Sequence, residues 1–453
     1  MNRERTAWVV SFLLLAVTAF RNPTSAQRDS DYQFVRTLVD INRQVSANYV
    51  ERVDEGKLEK AAIDGMLNQL DPFTVYVPLA RREEFDRMLE GTFKGVGVQL
   101  NQLANGVWEV LTPIDGSPAF RAGVMAGDII LKVNGESIDG LRLEEVVKRI
   151  AGEAGSEVTL TLRRVTGQVL ELKMKREELV IPTVKGYQRR ADNTWDYFVS
   201  DVRKIGYLRI TQFTPTTFDA VKAVLTELLQ QGMKGLILDL RWNGGGQLDQ
   251  AVQIVDLFIS RGTIVMTKGR NRPEDRKVAT EAGTLAHFPL IVLVNEHSAS
   301  AAEIVAGSLM DNGRAAVLGQ RTYGKGSVQE VIPLEWNSGE LKLTVAYYYL
   351  PSGRLVHRKA GATDWGVEPQ IVVPMNDELQ MKVFQERSAQ EMFRRPTTGP
   401  ASEPSSAPTA QTVDVQLQRA VDTMMALTIL RNGVPPAMAP ATTQADESGK
   451  DER

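Results

Sequence analysis

Apolar residues change their spacing several times along this chain, and each change predicts a different kind of element. Phe34, Leu38, Ile41, Val45 and Tyr49 recur at intervals of three and four, as do Leu58, Ala62, Met66 and Leu70. That period predicts two amphipathic helices. Leu70-Asp71-Pro72 ends the second, because proline disfavours helical geometry in the residue before it. From residue 93 the texture becomes strand-like. Residues 93–100 predict a strand carrying two glycines, 107–111 a second strand, and 117–123 a short helix stopped by glycine. Residues 128–135 predict a strand closing on an Asn-Gly turn, 143–151 a helix, and 157–163 an alternating strand.

Beyond residue 203, short apolar runs alternate with helical periods. Strands over 204–210, 235–240 and 290–294 are separated by helices over 216–231, 247–259 and 301–310. This alternation implies an α/β core with parallel strand pairs. Two consecutive strands follow over 327–333 and 341–350, so the sheet is expected to be mixed. Residues 395–410 are rich in Pro, Ser, Thr and Ala and cannot bury apolar surface. Helical spacing returns at Val415, Leu417, Ala420, Met424, Leu427 and Leu430, predicting a helix over 413–431. The chain is therefore divided into a leader (1–26), a helical N-terminal region (27–90), a small inserted α+β domain (91–178) and an α/β core (179–394). A disordered linker (395–412), the 413–431 helix and a disordered tail (432–453) complete it.

Composition narrows the function. A chain of 453 residues supports two or three domains, and its formal charge of −3 offers no basic field for nucleic acid. The absence of cysteine excludes disulfides and thiolate metal sites, and three scattered histidines show no ligand spacing, so no metal or cofactor is called for. Arg3 and Arg5 precede an apolar run from Ala7 to Phe20, and small residues near Ala26 suit cleavage before Gln27. That is the layout of a signal peptide, which places the mature chain in the periplasm or another extracytoplasmic compartment. An uncleaved anchor is the alternative, although the run is short for a span. The N-terminal helices and the 413–431 helix are candidates for homodimerisation or for core packing.

The candidate chemistry lies in two segments, 298–303 (Ser-Ala-Ser-Ala-Ala-Glu) and 324–329 (Gly-Lys-Gly-Ser-Val-Gln). Ser300 follows a buried strand and opens a helix, whose free N–H groups and positive potential favour a developing oxyanion. Residues 300–303 (Ser-Ala-Ala-Glu) also match a capping box, which needs no catalysis, and Ser298 is a rival nucleophile. Lys325 lies between two glycines that let its segment approach another closely. A lysine can serve as general base only where burial or cationic neighbours help remove its proton. In an extended segment positions 325, 327 and 329 share a face, so Gln329 could orient the amine. Read in isolation, the lysine is a surface charge. Residues 319–325 also imitate a phosphate loop, but Gly326 replaces the Ser or Thr that would hold magnesium. Residues 239–247 (Asp-Leu-Arg-Trp-Asn-Gly-Gly-Gly-Gln) leave a buried strand through a glycine loop, and the N–H of Gly245 is the chosen oxyanion donor there. A Ser/His/Asp triad using His357 stays open.

Two resemblances follow from these motifs. The order Gly-Val-Gly-Val (95–98), Ser-Pro-Ala-x-x-Ala-Gly-Val (117–124) and Gly-Asp-x-Ile-x-x-Val-Asn-Gly (127–135) resembles a PDZ domain of the bacterial type. It implies that the backbone N–H groups of Gly95, Val96, Gly97 and Val98 cap the carboxylate of a peptide added to the sheet edge. The whole set, with Leu-Asp-Pro (70–72), Asp-Leu-Arg-x-Asn-x-Gly-Gly (239–246) and Gly-Val-Glu-Pro (366–369), resembles the carboxyl-terminal processing peptidases, the tail-specific serine proteases. The likeness runs over residues 31–375. It implies an α/β serine endopeptidase with a Ser300/Lys325 dyad supported by Gln329 and oxyanion donors at Ala301 and near Gly245. It further implies polypeptide substrates recognised by their C-termini and a PDZ domain that can gate the core. Ala302 stands where the family often has serine, and Gln370 where aspartate is common. The contrasting reading is a non-catalytic PDZ scaffold that binds C-terminal tails, and any adaptor protein is left open.

Overall fold

The computed structural model describes residues 25–103, 105–392 and 412–432. The leader up to Thr24, the linker up to Gln411 and the tail beyond Asn432 lie outside them. The chain falls into two compact units, residues up to 78 with 331–343, and 79–330 with the remainder.

In the first unit, helix Ser25–Asn48 is followed by helix Glu55–Leu67, whose N-cap Asp54 accepts the Lys57 N–H. Asp71 then accepts the N–H groups of Phe73 (2.7 Å) and Thr74 (2.9 Å), a side-chain-closed turn that stops the helical run. Strand Val75–Val77 pairs antiparallel with residues 340–342. Phe34, Ile41 and Tyr49 are exposed among the described residues.

In the second unit, six strands of the small domain form a sheet in the order Val98–Gln102, Trp108–Pro113, Ile129–Val133, Glu157–Arg163, Val169–Lys175, with Glu136–Ser137 pairing Ile129–Val133. Val110, Ile130, Val146, Leu160 and Leu162 fill its core. The strand expected over 93–100 is broken. Thr92–Gly95 pairs instead with Glu177–Val180, and Gly97 turns the chain at φ +80° before Val98–Gln102 begins. Only glycine fits that turn, since a Cβ there would lie 2.3 Å from Ser117 Cβ.

The α/β core is built on a sheet ordered Val184–Lys185, Ile205–Ile210, Gly235–Asp239, Leu290–Val294, Ala316–Gly319, Ile371–Val372. The last five are mutually parallel. The sheet is mixed, as expected, but through Val184–Lys185 and Phe198–Ser200, which run antiparallel to Ile205–Ile210. Strands Ser327–Pro333 and Glu340–Tyr349 pair with each other elsewhere, and Tyr347–Tyr349 pairs with Thr263–Gly269.

Because successive parallel strands step across this sheet in one direction, right-handed crossovers put helices Thr217–Gln230, Leu248–Asp256 and Ala301–Asp311 on one face. Alternation along each strand follows. Leu236, Leu238, Val292 and Val294 face those helices, while Tyr207, Ile237, Ile291 and Leu293 face the other way. That second face is covered by helix Val415–Asn432, through Leu417, Ala420 and Met424. The predicted 413–431 helix therefore packs into the core rather than lying free.

Replacing Gly97 by Ala is expected to weaken the small domain by about 2 kcal/mol, from backbone strain and the Ser117 clash. Hydrogen exchange of the Trp108–Pro113 and Glu157–Arg163 amides should then accelerate about 30-fold. Unchanged protection would show that the close approach carries no strain.

Candidate active site

Asp239, Val294 and Gly319 end three adjacent parallel strands, and the loops that leave them carry the predicted chemistry. Ligands of open α/β sheets bind outside such strand ends. Residues 240–247 form the glycine loop, 295–300 lead to the helix headed by Ser300, and 320–326 carry Lys325.

Ser300 is the N-cap of Ala301–Asp311 and is held at φ 58°, ψ −119°, a conformation that costs a non-glycine residue about 1–3 kcal/mol. Glu303 holds it there. Oε2 of this fully buried carboxylate accepts the Ser300 N–H at 2.8 Å and the Lys325 N–H at 2.8 Å. Oε1 accepts the Gly324 N–H at 2.7 Å and the Thr322 hydroxyl at 2.5 Å. Burial pushes the Glu303 carboxyl up from its ordinary value, and these donors pull against it. Tyr348 closes the arrangement. Its hydroxyl reaches the Lys325 carbonyl, Ser300 O at 3.1 Å and Glu303 Oε2 at 3.4 Å. Burial, with Glu303 beside it, raises Tyr348 well above its usual range, so it stays a donor. The capping box read from sequence is therefore present in its glutamate half, and the same glutamate also binds the lysine segment.

The glycine loop packs on Ser300. A Cβ on Gly245 would lie 2.6 Å from Ser300 Cβ and 3.1 Å from the Ala301 nitrogen, and one on Gly246 would lie 2.1 Å from Phe213 O. Ala301 is the first helical residue, so its N–H has no acceptor within the helix. Gly245 differs from the expectation. Its N–H donates to Asn243 Oδ1 at 2.8 Å, so this donor is occupied in the resting arrangement. Asn243 is itself fixed, donating to Ile210 O at 2.8 Å and accepting the Ala299 N–H at 2.9 Å.

Lys325 is half-buried between Gly324 and Gly326. A Cβ on Gly326 would lie 2.4 Å from the His357 nitrogen, which is why glycine stands there. Gln329 donates to Ser327 Oγ at 2.8 Å and Thr344 Oγ1 at 3.2 Å. Ser298 is fully buried, with its Oγ donating to Leu240 O at 2.8 Å and accepting the Asn295 N–H at 3.0 Å, a structural rather than a nucleophilic setting. His297 is exposed, and His357 lies against the Tyr347 ring, 4.8 Å between centroids. The phosphate-loop reading fails on geometry. A strand follows Lys325, and the N–H groups of Gly324 and Lys325 cradle Glu303 instead of a phosphate.

Beneath the glycine loop, Arg241 is fully buried and forks onto Asp239, Nε–Oδ1 3.0 Å and Nη2–Oδ2 2.6 Å. It also binds Asp414 through Nη1–Oδ1 and Nη2–Oδ2, both 2.9 Å. Burial alone would raise the Asp239 carboxyl, but Arg241 outweighs it and holds the group at about 2. In the small domain, Val98–Gln102 is an edge strand of its sheet. The Val96 side chain is core, its carbonyl accepts the Ala119 N–H at 2.8 Å, and Gly97 O accepts the Ile114 N–H at 2.8 Å. Residues 95–98 thus form a braced turn at the start of an open edge.

A strained serine heading a helix, a lysine segment clamped to it and a glycine loop packed on the serine form a serine-type peptidase core, and the chain also carries a PDZ domain. Residues 204–373 match the peptidase family S41, residues 109–164 a PDZ domain, and residues 17–79 the N-terminal domain of the activating protease CtpB. The chain is 38% identical over 356 residues to a carboxy-terminal-processing protease of Bartonella bacilliformis, covering 77% of each chain. It is 32% identical over 378 residues to the carboxy-terminal processing protease CtpA of Bacillus subtilis, covering 82% of this chain and 76% of that one. Among solved structures it aligns with the photosystem II D1 C-terminal processing protease at 29% identity and a TM-score of 0.41, over 78% of this chain and 98% of that one. The chain belongs to the carboxy-terminal processing proteases. Sequence reading missed Tyr348, Thr322 and Asn243, whose roles depend on partners 19 to 56 residues away. The Ser-x-x-Glu spacing was the one available signal for Glu303.

Glu303→Gln would turn an NH2 group toward backbone N–H donors and release one of the two segments. A loss of about 100-fold in kcat is expected, with little change in KM, measured on a denatured protein substrate. For Asp239, the folded carboxyl titrates below its unfolded value of about 3.9, so its contribution is whole above about pH 5 and is lost as pH falls toward 2. Urea midpoints should therefore drop less between pH 6 and pH 3 in Asp239→Asn than in the wild type.

Proposed function

We propose that this protein is an extracytoplasmic serine endopeptidase that binds polypeptide C-termini through its PDZ domain and cleaves with a Ser300/Lys325 dyad. The observation that carries the reading is the shared carboxylate oxygen of Glu303, which ties the N–H of Ser300 to that of Lys325. Such a clamp has a purpose when the two side chains must act on the same atom.

In this mechanism the neutral Lys325 amine takes the Ser300 proton as Oγ attacks the scissile carbonyl. The tetrahedral oxyanion is received by the open N–H of Ala301. A second donor comes from the glycine loop, which for Gly245 requires release of Asn243. Lys325 then protonates the leaving amine, and water releases the acyl-enzyme. Gln329, on the strand that continues from the lysine, steadies that segment through Ser327 and Thr344. The C-terminal carboxylate of the substrate is received by the 95–98 turn, and its last residues extend the Val98–Gln102 edge. The basic, apolar and small-residue leader supports export and an envelope substrate.

Ser300→Ala and Lys325→Ala are each expected to abolish cleavage of an exported protein with an apolar C-terminus, while a C-terminal peptide still binds. Product mass spectrometry and fluorescence anisotropy read the two properties. Full cleavage by Lys325→Ala would remove the dyad, and a rate profile governed by a histidine-like ionisation that vanishes in His357→Ala would replace it with a triad.

A further inference from the structure

The terminal helix Val415–Asn432 does more than cover the second sheet face, because its first turn touches two of the three active-site loops. Asp414, its N-cap, accepts the Leu417 N–H at 3.0 Å and grips Arg241 with both carboxylate oxygens at 2.9 Å. Gln416, fully buried, accepts from Arg241 at 3.2 Å and donates to Gln320 Oε1 at 3.0 Å and Val373 O at 2.8 Å. Arg241 immediately precedes Trp242 and Asn243 of the glycine loop, and Gln320 begins the loop that carries Lys325.

The charges around Arg241 make this contact consequential. Asp239 and Asp414 face Arg241, and Arg387 lies 3.8 Å from Asp414, so two buried or nearly buried cations are balanced by two carboxylates. Tyr207 donates to Asp239 at 2.7 Å. Without Asp414 the fully buried guanidinium keeps one carboxylate, Asp239, and the Gln416 amide oxygen, and it must turn toward these acceptors. The next residue, Trp242, is held at φ 56° by its N–H on Asn295 Oδ1 at 3.0 Å. Asn243 then carries both the Gly245 N–H and the Ala299 N–H, one residue before Ser300. A turn of Arg241 is thereby passed over two residues to the oxyanion loop and the nucleophile.

We propose that Asp414, seconded by Gln416, is a positioning residue for catalysis, so that the docked C-terminal helix sets the glycine loop against Ser300. This rests on the Ser300 nucleophile proposed above. It assigns the segment that follows the family-matched core a part in the reaction rather than in stability alone.

The test uses full-length variants assayed well below their melting temperatures, with cleavage of a denatured protein substrate and labelling by a fluorophosphonate probe. The control is Met424→Ala, which loosens the same helix eight residues beyond Gln416 without touching Arg241. Asp414→Asn is expected to lower kcat about 10- to 100-fold and to slow labelling comparably, with KM changed less than about twofold. Gln416→Leu should show a smaller loss of the same kind, and it stands in if Asp414→Asn does not fold. Met424→Ala should lower the melting temperature while keeping kcat within about twofold of wild type. The inference is overturned if Asp414→Asn and Gln416→Leu turn over and label like the wild type, or if kcat tracks melting temperature across all three variants. Failure of the underlying reading looks different, since the wild type would then escape labelling or Ser300→Ala would still be labelled.

Discussion

The active site depends on one buried carboxyl group. Glu303 sits where its own helix begins, yet four of its five donors lie elsewhere in the chain, at Thr322, Gly324, Lys325 and Tyr348. Hydrogen bonds to a carboxyl group of this kind are worth about 1.5–3 kcal/mol each, and together they work against its burial and against the strain at Ser300. A neutral side chain of the same shape could not accept from all of them. The lysine segment is thus located by its backbone N–H groups at Gly324 and Lys325.

A second constraint is topological. A parallel sheet wound in one direction collects its crossover helices on one face, and the other face must be covered by something outside the winding. Here that cover is the helix Val415–Asn432, reached only after the linker. Arg241 and Asp414 join the cover to the sheet at the strand end where the glycine loop starts. Breaking such a buried pair from one side typically costs about 3–5 kcal/mol, so the cover and the loop are coupled energetically as well as spatially.

Much of this was legible in the residues, for identifiable reasons. The buried strands 235–240 and 290–294 and the helices after them carry strong periodicity, and they were found within a residue or two of Gly235–Asp239 and Leu290–Val294. The strands Thr263–Gly269 and Arg272–Val278 were not seen, because the second is almost wholly exposed and charged and has no apolar alternation. Nor was the break at Gly97, which exists because Ser117 occupies the space a side chain would need. At the site, Ser300, Lys325 and Ala301 were placed by local motifs. The occupation of the Gly245 N–H by Asn243, and the reach of Glu303 to a distant loop, are tertiary facts with no local period. Gln370, noted only as a departure from the family, accepts the Val317 N–H at 3.0 Å and so closes the strand beside it.

The position of the covering helix in the chain also has a temporal meaning. A polypeptide emerging N-terminus first presents Ser300, Lys325 and the three loops around them before the helix Val415–Asn432 has left the ribosome. Until then Tyr207, Ile237, Ile291 and Leu293 face water and Arg241 lacks its second carboxylate. Among the described residues the last helix to emerge is the one that seals the core, which makes its synthesis a clock for assembly of a protein-cutting site.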